Sequence, residues 1–132
     1  MPIQGYPTAT HYAPAFSRRE LDCRCGCPTP QGVQHNLAAL AEHLQALRAL
    51  AGGPLTVHSG YRCPAHNAAV GGAEFSQHVM GLAADVSSRA VTPAKLAQLA
   101  AKVPTLNAGG IGTYKTWVHV DIRRNGPARW KQ

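Results

Sequence analysis

Apolar and polar positions along the 132-residue chain change period several times, and each period predicts an element. From Asn36 to Ala51, Leu37, Leu40, Leu44 and Leu47 recur at three- and four-residue spacing, the apolar stripe of a helix. Asn36 is placed to cap this helix and Gly52-Gly53-Pro54 to end it. LTVHSGYR, Leu55 to Arg62, alternates weakly and predicts a strand. Pro64 suits the first turn of a short helix, which Gly71-Gly72 ends near Val70. A further helix is predicted from Pro93 to Lys102, with Thr92 as its cap. GGIGTYK and TWVHVDIR then predict a terminal hairpin. In its second strand Val118, Val120 and Ile122 share one face, and Trp117, His119, Asp121 and Arg123 share the other. Interleaved helices and short strands of this kind predict a compact α+β domain, a small antiparallel sheet with flanking helices.

SQHVMGLAADV, Ser76 to Val86, fits neither period. It sets His78 and Asp85 among glycine, alanine and methionine, and a carboxylate in such surroundings is costly to bury without a partner. Gly81 lets the backbone turn between the two, so the stretch reads as a loop entering a strand. The late strand supplies His119 and Asp121 side by side, backed by three β-branched core residues. Zinc takes imidazole nitrogen and carboxylate oxygen, and a catalytic site uses three such ligands with a fourth position for water. Two histidines and one aspartate meet that count. His11, His35, His43, His58 and His66 are isolated in the sequence and read as surface or core residues.

Composition narrows the classes. An apolar content of 45% and a charged content of 14% fit one globular domain spanning residues 1–132 and exclude a disordered chain. Thirteen Lys and Arg against six Asp and Glu give a formal charge of +7, which favours an anionic partner such as wall polymer, membrane headgroups or nucleic acid. The basic residues are scattered, without a Lys/Arg-rich helix, which argues against nucleic acid. No apolar run reaches the length of roughly 18 residues that a membrane span needs. The opening MPIQGYPTATHYAPAF lacks a basic segment followed by an apolar core, so synthesis in the cytoplasm without a signal peptide is expected. Residues 1–16 read as an extended arm and residues 125–132 as a basic, solvated tail.

SGYRCPAHNAAVGGAEFSQHVMGLAADV followed by WVHVD resembles the M15 family of zinc D-Ala-D-Ala carboxypeptidases and peptidoglycan endopeptidases, whose fold is shared with the hedgehog signalling domain. Three blocks carry the likeness: Ser59 to Arg62 with Asn67; Ser76, His78, Gly81, Ala83 and Asp85; and His119. The resemblance implies that His78, Asp85 and His119 hold one catalytic zinc ion. It also implies that Arg62 faces the metal and steadies the anionic intermediate, a role suited to an always-charged guanidinium. Ser76 and Trp117 are expected to bind substrate, with a loop cap and a cover for the hairpin as their alternatives. The sequence departs from the family at one point. Relatives place the catalytic base as Glu three residues before the last histidine, or as His two before it; here Thr116 and Trp117 stand there. Asp121 is then the candidate general base, or else a partner that fixes the His119 ring. An exchange of roles, with Asp121 as ligand and His119 as base, is the third assignment.

LDCRCGCP holds Cys23, Cys25 and Cys27, and Cys63 follows Arg62. Reduced thiols, a second and structural metal site, and a disulfide to Cys63 after release into an oxidising space all fit these four. The resemblance implies a peptidase of peptidoglycan stem peptides using a metal-activated water, and the chain is expected to be a monomer. Its small size matches a phage-type endolysin, released by a holin or by another non-classical route, or a bacterial remodelling enzyme. The +7 charge would hold it near anionic envelope surfaces. A non-catalytic zinc module that grips wall peptide or a protein partner is the alternative.

Overall fold

The computed structural model describes residues 3–132. The chain begins with a two-stranded ribbon, β1 (His11–Ala13) and β2 (Phe16–Ser17), which buries Tyr12, Ala13 and Phe16. α1 (Arg18–Leu21) follows directly, held by reciprocal bonds between Ser17 and Glu20, a capping box. The long helix α2 (Gln31–Ala51) starts five residues before the expected Asn36. Its first turn needs no side-chain cap, because Gln34 N–H bonds Pro30 O at 2.9 Å and the Gln34 amide reaches Thr29 O at 2.8 Å. Asn36 does other work: its Nδ2 donates to Met80 O at 2.8 Å and ties the helix to a distant turn. Leu37, Leu40, Leu44 and Leu47 are fully buried, as their spacing predicts. Each contributes about 1.5–3 kcal/mol by leaving water.

β3 (Leu55–Ser59), α3 (Pro64–Ala69) and a 3-10 turn (Gln77–Met80) lead into β4 (Ala83–Ser88). α4 (Pro93–Ala100), capped by Thr92, and the short α5 (Pro104–Asn107) precede the hairpin β5 (Gly110–Thr113) and β6 (Val118–Asp121). The last strand is β7 (Ala128–Lys131). Strand order in the main sheet is β3-β4-β6-β5-β7. The α+β class is as expected, with two differences. The sheet is antiparallel except at its edge, where β7 runs parallel to β5, and the expected solvated tail is that edge strand. Ala128 and Trp130 turn inward there while Arg129 and Lys131 face out, a period of two that the basic charge of the segment obscured.

One face of the sheet carries Val86, Val118 and Val120, packed with Ile111 and the buried residues of α2 and α4 into a single core. The other face carries a polar row. Asp85 on β4 pairs with His119 on β6, His119 with Gly112 on β5, and Gly112 with Trp130 on β7. A Cβ on Gly112 would run into the Trp130 indole, so only glycine lets that ring lean across the row toward His119.

Candidate metal centre

The turn before β4 is shaped so that His78 faces the sheet. Ser76 Oγ accepts from His78 N–H at 3.2 Å and caps the 3-10 turn. Gly81 ends it at φ +73°, against the Val33 side chain of α2, where any larger residue would be both strained and obstructed. β4 then begins, and Asp85 lies on its polar face opposite His119. Three segments distant in sequence thereby converge.

His78 Nε2 lies 3.2 Å from Asp85 Oδ1, and His119 Nδ1 lies 3.1 Å from the same oxygen. A tetrahedral zinc with ligand bonds of about 2.0–2.1 Å separates its ligands by roughly 3.3 Å, close to these spacings. The outward nitrogens settle where the protons are. His78 Nδ1 lies 2.7 Å from the Gly60 carbonyl, which can only accept, so that nitrogen donates. His119 Nε2 lies 2.8 Å from Asp121 Oδ2 and donates to that carboxylate. In neutral rings the inward nitrogens are therefore bare lone pairs, aimed at a third acceptor. Such a convergence repels itself unless a cation or an extra proton sits among the three. The donor set of two imidazoles and one carboxylate suits zinc and leaves a fourth position. The same field acts on the titrations. Burial raises the Asp85 carboxyl, but the bonds to His119 and His78 outweigh it and hold the group well below the usual carboxylate range. Burial lowers His119, but Asp121 and Asp85 outweigh it and raise the ring.

Asp121 is fully buried. Its Oδ1 accepts from Gly110 N–H at 2.8 Å, Arg123 N–H at 3.1 Å and Arg123 Nε at 2.9 Å. Its Oδ2 accepts from His119 and from Arg123 Nη2 at 2.7 Å. Burial raises this carboxyl too, but His119 and Arg123 drive it well below the usual range. It has no face on the cleft that opens above the three ligands.

That cleft has a volume of about 470 Å³, and Arg62, Ser76, Trp117 and all three candidate ligands line it. Arg62 is anchored through its backbone N–H to His78 O at 3.0 Å, and its buried Nε has no hydrogen-bond partner among the described residues. Asn67 donates to Ala73 O at 2.8 Å and holds the rim loop beside it. Trp117 stacks on Tyr114 with ring centroids 4.6 Å apart and planes 9° from parallel. Trp130 and Tyr114 are among the lining residues that escaped the sequence reading. Trp130 donates from Nε1 to Tyr114 Oη at 2.9 Å, and its ring lies 5.0 Å from that of His119. The signal for Trp130 was the two-residue alternation of ARWK; for Tyr114 the sequence offered none.

Compared with known proteins, residues 14–121 match the model of one family, described as Peptidase M15. The matched span contains the three candidate ligands, Arg62, Ser76, Trp117 and Asp121. A search of curated proteins found no match.

Proposed function

This chain belongs to the peptidase M15 family, and from that premise we propose that it is a zinc-dependent peptidase cutting peptide bonds in peptidoglycan stem peptides or cross-links. The observation that carries the reading is the convergence of two imidazole lone pairs and the Asp85 carboxylate on one point at the floor of an open cleft. His78, Asp85 and His119 hold the ion. Zinc bound there supplies Lewis acidity toward a peptide carbonyl and toward water. The chain's own residues do the rest. Gly60 and Asp121 fix the two rings through their outward nitrogens, so that in the neutral rings the inward nitrogens are the ligating atoms. Arg62, which lines the cleft beside the candidate ligands, binds the negative charge that develops on the substrate oxygen or that a stem-peptide carboxylate brings. Trp117 and Tyr114 form one wall against which the peptide lies, and Ser76 acts by shaping the turn that carries His78.

In this reading Asp121 orients His119 and is not the general base. Every oxygen it has is already engaged by a donor, and it lacks a path to the cleft. The exchanged assignment fails for the same reason, since Asp121 lies behind the His119 ring and not among the converging atoms. The role we propose is that of a wall-lytic or remodelling enzyme of endolysin type, which a formal charge of +7 would draw to anionic envelope surfaces.

Digestion of purified peptidoglycan by zinc-loaded and by chelated protein tests this. New amino and carboxyl ends in the first sample alone are expected, and their identity names the bond. Binding to peptidoglycan without any new ends would make the chain a recognition module instead.

A further inference from the structure

Away from the cleft, a second group of metal-ligating side chains comes together. The Sγ atoms of Cys23, Cys25, Cys27 and Cys63 all lie within 4.8 Å of one another. Cys25 Sγ is 3.2 Å from Cys23 Sγ and 3.5 Å from Cys63 Sγ, and none of the four is in a disulfide. Four sulfurs around a zinc ion at about 2.3 Å would be separated by roughly 3.8 Å, slightly more than the two shortest separations and within the 4.8 Å that encloses all four. A disulfide requires only two sulfurs together and gives no reason for the other two to be there. Two backbone donors also point at sulfur: Cys63 N–H at Cys23 Sγ and His66 N–H at Cys63 Sγ, each at 3.4 Å. Donors of this kind favour thiolates and accompany sulfur-ligated metals. Gly26 makes the tight spacing workable: at φ +80° it turns the chain between Cys25 and Cys27, and its N–H bonds Cys23 O at 3.1 Å.

We propose that Cys23, Cys25, Cys27 and Cys63 bind a structural zinc ion that clamps the segment after α1 onto the segment Gly60 to Cys63. Four S–H bonds are exchanged for four Zn–S bonds, and the protons leave to solvent. The clamp lies where the two segments already touch: Tyr61 N–H donates to Leu21 O at 2.7 Å, and a Cβ on Gly60 would collide with the Leu21 backbone. It adjoins Arg62 and the Gly60 carbonyl that receives His78. A soft all-sulfur set selects zinc over the hard oxygen-seeking cations. This site is independent of the peptidase reading, since it uses none of the cleft residues.

The test uses the full chain, kept reduced, with zinc or cobalt as the only added metal. Two zinc ions per wild-type chain and one in His119→Ala are expected. The four thiols should resist a disulfide-exchange reagent until a strong chelator strips the metal. Cobalt-loaded His119→Ala should show a thiolate-to-cobalt charge-transfer band, and the Tyr61 amide should exchange with solvent faster once the cysteines are emptied. A Cys25→Ser variant should lose the band; should it fail to fold, the His119→Ala measurements decide alone. No metal in His119→Ala with freely reactive thiols would overturn the proposal. Unchanged Tyr61 exchange would overturn the clamp.

Discussion

At the scale of single residues, the centre depends on which atom of each ring faces inward, and Asp121 and Gly60 decide that. Asp121→Asn keeps the shape but removes the charge that holds His119. Zinc affinity measured by chelator competition should fall about 10–100-fold; unchanged affinity would end the orienting role. Arg62→Lys keeps a positive charge but loses the planar fork. Its kcat/KM on a stem-peptide substrate should drop on the order of 100-fold with full zinc content. Equal activity at equal zinc would remove Arg62 from the reaction. Away from the cleft, Tyr12 is buried and donates to Asp22 at 2.6 Å. Burial first, then the Asp22 bond, push its hydroxyl above the model-peptide value of 10.0. A group raised on folding stabilises fully below the unfolded value and stops doing so as pH climbs through the folded one. Denaturant midpoints should therefore decline above about pH 10, more in the wild type than in Tyr12→Phe. Parallel declines would mean another group is responsible.

At the scale of elements, the sheet and its turns place the side chains that chemistry needs. Gly81→Ala puts a side chain at φ +73° against Val33. A loss of about 1–2 kcal/mol follows from the backbone alone, with lower zinc affinity because the His78 turn must shift. Stability equal to the wild type's would mean the turn tolerates a different closure. Deleting residues 128–132 should lower the melting temperature, bare the β5 edge and promote association. These two elements differ in how openly the sequence displayed them. SxHxxGxAxD announced its turn because histidine, glycine and aspartate are each unusual in such a place. ARWK did not, because four residues at an edge carry too short a period to outweigh their charge. The start of α2 was missed for a related reason: its first turn is held by Gln34 and by packing of the segments before it, not by a capping residue in sequence.

At the scale of the whole molecule, one core supports two groups of side chains that could each hold a metal, and the chain carries a formal net charge of +7. Charge acts over distances that salt screens, with a Debye length of about 8 Å at physiological ionic strength. Sedimentation with peptidoglycan should weaken steadily as salt rises, while cleavage of a short soluble stem peptide should change little. If both respond alike, the charge serves the active centre and not surface attraction. Among the described residues no helix is long and apolar enough to cross a membrane.

The sequence alone determined most of the helix and strand periods and the α+β class, and it made two histidines, two aspartates and the cysteines stand out as groups. Those follow from local chemistry: side-chain periodicity, backbone freedom at glycine, and the rarity of a charged group among small apolar ones. Only the tertiary structure decided which aspartate converges with the two imidazoles and which stands behind a ring. That choice turns on strand register, where Asp85 pairs with His119, and on Arg123 and Gly110 closing around Asp121. The same holds for Trp130, which reaches His119 only because a parallel strand and a glycine bring it across the sheet. Sequence spacing fixes which side of a strand a residue occupies; it cannot say what lies across the gap, because that partner comes from elsewhere in the chain.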